Sequence, residues 1–286
     1  MLLLTFVCLT YLTTANAVTL GTAAASDWGY WTASILKVDA VNSSIYTHTC
    51  GGVLLNTTGY GNSDRLWILS SARCFAENQI TADWRVEVGR RHILDDDPST
   101  VQLKPVSRII RYPTYDINDY QVNDIALVKM GSRVSLNSRV GVAFLPSRTN
   151  ENYVGRDCYL SGWGKLNSFD EDTAPEFILG GRAMQIADTF TISNADCSSQ
   201  YPAIVNTMVC AMRSETEYPS PCGERDYGSP LICNAGSVNS PIYRAAGIST
   251  GQWPGQNCGD NSLTPIPLFT RVAPFITWIQ DTVTNN

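Results

Sequence analysis

Short apolar runs separated by turn-forming residues occur along most of the chain. Strand-like runs cover residues 32–38, 66–70, 85–88, 125–129 and 243–248. Gly, Pro, Asn and Asp interrupt the chain between these runs, and such residues favour turns. The pattern predicts an all-β protein, built as a barrel or a sandwich.

The C-terminal region has a different period. Between residues 273 and 283, four apolar side chains recur at helical spacing: Phe275, Ile276, Ile279 and Val283. Proline is favoured in the first turn of a helix, and Pro274 occupies that place. The segment therefore predicts a helix near the end of the chain.

Length and composition indicate a globular protein with a substantial core. The 286 residues are 44% hydrophobic and 16% charged. No internal repeat or low-complexity linker is visible, and a division near Leu145-Pro146 separates two halves of similar size, about 18–145 and 146–286. The net charge of -6 disfavours binding to nucleic acid or to anionic membranes. We interpret two basic clusters, residues 90–92 and 104–111, as solvated strand and loop faces.

The first 17 residues are predicted to be a signal peptide. They carry no charged side chain, have an apolar centre and end in Ala15-Asn16-Ala17, a small-x-small cleavage site. The stretch is too short to cross a bilayer, which needs about 20 apolar residues, and no later stretch is apolar enough. We expect a secreted chain that begins at Val18.

The number of cysteines also indicates a secreted protein. Of nine cysteines, Cys8 leaves with the signal peptide, and the remaining even number predicts a disulfide framework. A zinc site is not expected, because no C-x2-C pair exists and the chain has two histidines. Asn42 and Asn56 begin glycosylation sequons. The run of carboxylates at 95–97 is predicted to be a solvated loop, so neither a metal nor a cofactor is expected.

Six short segments identify a scaffold. They are residues 48–54 (HTCGGVL), 67–74 (WILSSARC), 123–129 (NDIALVK), 158–164 (CYLSGWG), 226–233 (DYGSPLIC) and 269–272 (FTRV), the last leading into Trp278-Ile279. In this order and spacing they resemble the trypsin/chymotrypsin family of serine proteases. The resemblance covers essentially all of the chain from Val18 onward.

The resemblance implies a fold and a disulfide pattern. The fold would be all-β, with two antiparallel six-stranded barrels, a C-terminal helix and a site in the cleft between the barrels. Eight cysteines allow 105 pairings, and the resemblance selects these four: Cys50–Cys74, Cys158–Cys233, Cys197–Cys210 and Cys222–Cys258.

The resemblance also locates the catalytic positions, and two of them carry other residues. The family needs a serine nucleophile, a histidine base and a buried aspartate that orients the histidine. Arg73 stands at the histidine position, Tyr227 at the serine position, and Asp124 is retained. A guanidinium has no lone pair to accept a proton, and a phenol without a base is a poor nucleophile.

No other residue is expected to replace the missing groups. We interpret His48 as a structural hydrogen-bonding residue and His92 as a solvated loop residue. Ser229 would face away from the position of attack. By the resemblance, Arg225 replaces a glycine of the oxyanion loop, so the geometry of that loop is expected to differ from the family's. Because Asp124 is a buried charge that needs a partner, we predict an ion pair between Arg73 and Asp124.

Two further sets of positions follow from the resemblance. Ser220, Gly251 and Pro267 correspond to the specificity pocket, and proline in place of glycine at 267 is expected to narrow it. Val18 would become a free amino terminus on signal removal. Its ammonium group is then expected to insert and pair with Asp226. The alternative is a disordered amino terminus, since Thr19 and Leu20 match the family's segment weakly.

These observations predict a secreted serine protease homologue that does not hydrolyse peptides and acts by binding a protein, such as a protease, an inhibitor or a cascade component. A first alternative is an active serine endopeptidase with an unusual site. A second is a glycan-binding or antimicrobial protein, although the charge of -6 argues against it.

Overall fold

The computed structural model describes residues 21–24, 28–60, 66–92, 99–119, 122–164, 183–199, 202, 204–214, 226–250 and 266–286. In these ranges the chain forms two closed antiparallel barrels of six strands each. A short strand, β1 (Thr22–Ala23), adds to the outside of the second barrel, and helices are short. The predicted all-β fold is therefore confirmed as a pair of barrels.

The first barrel has the strand order β2-β3-β4-β7-β6-β5 and closes by pairing of β5 with β2. Its strands are β2 (Thr32–Val38), β3 (Tyr46–Leu54), β4 (Trp67–Ser70), β5 (Trp84–Val88), β6 (Gln102–Arg111) and β7 (Ala126–Met130). Ile35, Val86 and Val128 are fully buried inside it. Alternate residues of each strand thus supply the interior, as the pleat requires.

The second barrel has the order β9-β10-β13-β12-β11-β8 and closes by pairing of β8 with β9. Its strands are β8 (Asp157–Gly162), β9 (Gln185–Ile192), β10 (Met208–Met212), β11 (Pro230–Asn234), β12 (Tyr243–Ser249) and β13 (Leu268–Arg271). One helical turn, α1 (Asn194–Cys197), follows β9 and is capped by the Ser193 side chain.

Three of the four expected disulfides are present: Cys50–Cys74, Cys158–Cys233 and Cys197–Cys210. The fourth, Cys222–Cys258, lies outside the described residues. The first of the three bonds joins β3 to the turn after β4, which leads directly to the candidate site.

The C-terminal helix packs on the first barrel although it follows the last strand of the second. A 3₁₀ turn at Ala273–Phe275 leads into α2 (Ile276–Asn285). Ile279 and Val283 of this helix are fully buried in one cluster with Trp67 of β4. The predicted helix is confirmed. The first strand, β1, thus pairs with the second barrel, whereas the last helix, α2, packs on the first. None of the helices in the described ranges is long and apolar enough to cross a membrane.

Candidate functional site

The positions singled out in the sequence come together where three chain segments meet. Ser71 and Arg73 lie in the turn after β4, and Arg73 begins the 3₁₀ helix Arg73–Phe75. Asp124 lies two residues before β7, and Tyr227 lies in the turn before β11. The first two segments belong to the first barrel and the third to the second barrel.

Asp124 is fully buried and is held by hydrogen bonds from the turn after β4. The Ser71 hydroxyl donates to the carboxylate, with its Oγ 2.7 Å from each oxygen. The backbone N–H of Arg73 donates to Oδ1 at 2.8 Å. The Thr270 hydroxyl, from β13 of the second barrel, donates to the carbonyl oxygen of Asp124 at 3.0 Å. The carboxylate is thus fixed by groups other than a histidine.

Burial affects the pKa of Asp124 more than its hydrogen-bond partners do. Removal from water disfavours the ionised form and raises the pKa of Asp124 to about 7, although the hydrogen bonds from Ser71 and Arg73 and the positive charge of Arg73 act in the opposite direction. Burial also raises the pKa of the nearby Tyr115, and the charge of Asp124 adds to that effect. Tyr115 is therefore a neutral phenol at physiological pH.

The guanidinium of Arg73 stacks on the ring of Tyr227. Its central carbon lies over the ring, 4.5 Å from the centroid, which is within the range of a cation–π interaction. The ion pair expected between Arg73 and Asp124 takes another form: the backbone N–H of Arg73 makes the hydrogen bond, and the side-chain charge acts on the carboxylate through space.

The turn that carries Tyr227 is shaped by the glycine after it. Gly228 has φ +81°, and a Cβ at this position would collide with the carbonyl oxygen of Gly51 and the hydroxyl of Ser70. The carbonyl oxygen of Tyr227 accepts a hydrogen bond from the N–H of Gly51 at 2.8 Å. The turn is thus pressed against β3, and only glycine fits after Tyr227.

Ser229 and His48 are both buried, and each has a side-chain hydrogen bond. Ser229 is 1% exposed and its hydroxyl donates to Asp226 Oδ1 at 3.4 Å, on the interior side of the turn. His48 is 5% exposed, with Nδ1 2.7 Å from the Ser34 hydroxyl oxygen. His92 is exposed, in agreement with the prediction of a solvated residue.

A cavity of about 340 Å³ opens beside the Arg73–Tyr227 stack, and we call it the cleft cavity. Its lining mixes cationic, acidic and apolar side chains, including Lys37, Thr49, Arg73, Glu77, Ile117 and Tyr227. In the described part of the chain, no group of three His, Cys, Asp or Glu residues is placed to hold a metal ion.

The remaining predicted positions are described only in part. Pro267 is buried, and its carbonyl oxygen accepts from the N–H of Ala211 at 3.3 Å. Asp226 is fully buried and accepts from the N–H of Gly164 at 2.9 Å. Ser220, Gly251 and Val18 lie outside the described residues.

A comparison with known families agrees with the fold. The family model described as Trypsin matches residues 21–279. The chain belongs to the trypsin family.

Its relatives in this trypsin-like serine protease family share about a third of its residues. Cationic trypsin-3 of Rattus norvegicus is 31% identical over 240 residues, which are 84% of this chain and 81% of that protein. Trypsin of Xenopus laevis is 30% identical over 255 residues, 88% of each chain. Chymotrypsin-like elastase family member 1 of Canis lupus familiaris is 30% identical over 257 residues, again 88% of each chain.

Sequence reasoning missed Ser71 and Thr270 as supports of the buried carboxylate. Ser71 stands two residues before Arg73, so the sequence alone could have suggested its hydroxyl as a donor to the carboxylate. Thr270 is 146 positions from Asp124 in the chain, and no local pattern connects the two.

The first prediction concerns the pH dependence of stability. A carboxyl whose pKa is raised on folding favours the folded state at low pH. It loses this contribution as pH rises from about 3.9, the unfolded value, to about 7. The free energy of unfolding of the wild type should therefore fall relative to that of Asp124→Asn by about 1.4 kcal/mol per pH unit between about pH 5 and 7, and then level off.

Urea unfolding across this pH range measures the difference. The control is Asp119→Asn, which changes an exposed carboxylate and should give a difference that is flat with pH. A flat difference for Asp124→Asn as well would contradict the raised pKa.

The second prediction is an energetic coupling between Arg73 and Tyr227. In a double-mutant cycle with Arg73→Met, Tyr227→Leu and the double variant, we expect a coupling of about 0.5–2 kcal/mol, because each single change removes the same cation–π contact. Urea unfolding gives the four free energies. The pair Arg85 and Tyr46, 5.9 Å apart with Tyr46 37% exposed, serves as the control and should couple less. Additivity at Arg73 and Tyr227 would rule out the contact.

Proposed function

We propose that this chain is a secreted, non-hydrolytic member of the trypsin family that acts by binding a protein partner at its cleft. The partner class is a protease, a protease inhibitor or another component of a proteolytic cascade. The observation that carries the proposal is the stack of Arg73 on Tyr227, since these are the positions that the family resemblance assigns to the base and the nucleophile.

The lack of a general base supports the proposal. Arg73 cannot accept a proton at neutral pH. His48 is engaged with Ser34 through Nδ1, and His92 is exposed on the loop after β5. Asp124 takes its hydrogen bonds from Ser71 and the backbone of Arg73. Among the described residues, none is therefore placed to activate a nucleophile in this cleft.

The surroundings of Tyr227 also support the proposed absence of hydrolysis, because they concern the nucleophile. The guanidinium of Arg73 lies over one face of the phenol ring and offers its oxygen no proton acceptor. Ser229, the nearest serine in sequence, is buried against Asp226. Neither residue is placed for attack on a peptide carbonyl.

The cleft cavity supplies a contact surface for a partner. Ile117 is 50% exposed at its rim, and Lys37 and Glu77 add charges of opposite sign. An apolar side chain flanked by both charges suits a protein surface with complementary groups. Loops around a former catalytic cleft can keep such a surface after the chemistry is lost.

Secretion, glycosylation and N-terminal insertion belong to the same proposal. Asn42 is exposed and Asn56 is partly exposed, which leaves both acceptors reachable. Asp226 is buried in the second barrel, at the place where the family resemblance puts the partner of a free amino terminus. We therefore propose that Val18 becomes the amino terminus and pairs with Asp226.

The third prediction tests the absence of hydrolysis. Incubated with a fluorophosphonate probe and a fluorogenic peptide library, the wild type should show neither a covalent label nor turnover above buffer, whereas an active trypsin in parallel should show both. Ser229→Ala assigns any label that does appear. Labelling of any serine in the wild type would overturn the proposal and favour an active endopeptidase.

The third prediction also covers binding of a protein partner, which is tested at the rim of the cleft cavity. A panel of purified trypsin-like proteases and their protein inhibitors is tested by surface plasmon resonance against the immobilised chain. We expect a specific response that weakens at least tenfold with Lys37→Glu, since a rim charge is reversed. Arg148→Glu, an exposed change outside the cavity lining, should leave it unchanged. Equal loss in both variants, or no response from any member of the panel, would contradict this partner class.

The fourth prediction concerns processing. N-terminal sequencing of the protein secreted from a eukaryotic host should begin at Val18, and glycosidase treatment should reduce its mass. With Asp226→Asn, the melting temperature should fall because the ammonium group would lose its partner. A different first residue would exclude the insertion, whatever the glycan result.

A further inference from the structure

The second barrel contains a separate cavity of about 220 Å³, which we call the barrel cavity. It lies between the segment before β8, the ends of β9 and β13, and the loop before β10. Its polar lining includes Asn152, Tyr153, Thr191, Asn194, Asn206 and Arg271. It shares no lining residue with the cleft cavity, so the proposed partner site does not account for it.

Arg271 brings a half-buried positive charge to the barrel cavity. Its Nη2 donates to the carbonyl oxygen of Glu151 at 2.7 Å, and its Nη1 donates to that of Asn206 at 3.3 Å. A guanidinium has five N–H donors, so these two bonds leave donors for a ligand. Burial lowers the pKa of Arg271, which indicates that its charge is poorly solvated.

No carboxylate neutralises this charge within the described ranges. The ion pairs found there join Arg90 to Glu87 and Arg244 to Glu151, and neither includes Arg271. The carboxylate of Glu151 is turned to the hydroxyl of Ser147, whose Oγ is 2.6 Å from it, and to Arg244. A half-buried cation without a counter-charge favours an anion from solution.

Thr191 adds an unsatisfied hydroxyl to the same cavity. It is 1% exposed, and its Oγ1 has no hydrogen-bond partner within the described part of the chain. Buried polar groups are nearly always hydrogen-bonded, and a missing bond usually marks a ligand or ordered water. Thr191 and Arg271 both line the barrel cavity, so one small ligand with several acceptor oxygens would satisfy both.

From these contacts we infer that the barrel cavity binds a single small oxyanion group, a carboxylate, phosphate or sulfate, held by the guanidinium of Arg271 and the hydroxyl of Thr191. An oxyanion supplies negative charge and acceptor oxygens together, which water does not. The volume is below the roughly 300 Å³ at which pockets for drug-sized ligands begin, so the ligand is an ion or one charged group. Guanidinium forks match the planar or tetrahedral oxygens of such groups.

The fifth prediction follows the thermal stability of the purified chain as anions are added. Sodium phosphate, sulfate and acetate are titrated separately, with sodium chloride at matched ionic strength as the reference. At least one oxyanion should raise the melting temperature beyond chloride, because it binds only the folded state. A response to acetate alone assigns a carboxylate, and a response to phosphate or sulfate assigns a tetrahedral oxyanion.

Two variants and a matched control test the site. Arg271→Gln should abolish the rise, and Thr191→Val should weaken binding about tenfold, since one hydrogen bond to a charged group is lost. Thr191→Val should fold as well as the wild type without anion, because valine removes only the unsatisfied hydroxyl. Arg148→Gln removes an exposed charge outside the cavity and should keep the full response.

The inference is overturned if no oxyanion exceeds chloride, or if Thr191→Val and Arg271→Gln respond as the wild type does. If Arg271→Gln does not fold, Thr191→Val decides the question, since an unchanged affinity would exclude the site. The readout needs no protein partner and no catalysis, so its result is independent of the proposed function.

Discussion

The buried carboxylate of Asp124 is the constraint on which the centre of the molecule depends. A charged or proton-sharing group without solvent must be fully hydrogen-bonded, because leaving one buried partner unpaired costs about 3–5 kcal/mol. Ser71 and the backbone of Arg73 meet this requirement from the turn after β4. Thr270 binds the carbonyl oxygen of the same residue from the second barrel. One buried residue therefore fixes a turn, the start of a strand and the contact between barrels.

The two unusual residues of the cleft fit around this carboxylate as a pair. Arg73 contributes its backbone N–H and its positive charge to Asp124, while its guanidinium lies over Tyr227. Tyr227 in turn packs against the core of the first barrel although it belongs to the second. Without Tyr227, the guanidinium of Arg73 would lose the ring on which it stacks. Without Arg73, that face of the Tyr227 ring would be uncovered. The contact thus joins two residues of different barrels, at the positions that the family resemblance assigns to the base and the nucleophile.

Much of the scaffold could be predicted from the sequence, because local chemistry determines it. The run at 32–38 coincides with β2, since Gly29 and Asp39 interrupt the chain on either side. β6 was harder to recognise, because it contains Pro105 and three basic residues and only Val106 is buried. The pairing of Arg73 with Tyr227 depends on two segments far apart in the chain. The sequence suggested Asp124 as the side-chain partner instead, because the donors that Ser71 and the backbone supply become visible only once the turn is folded.

The crossing of the chain ends bears on how the molecule is assembled during synthesis. Ile279 and Val283 of α2 belong to a buried cluster that includes Trp67 of the first barrel and Ile248 of the second. β1, near the start, finds its partner only in β9 of the second barrel. Domains usually fold in turn as the chain leaves the ribosome. Here the buried cluster shared by the two barrels includes side chains of α2, which follows the last strand of the second barrel, so the packing between the barrels can be completed only after this helix has been synthesised.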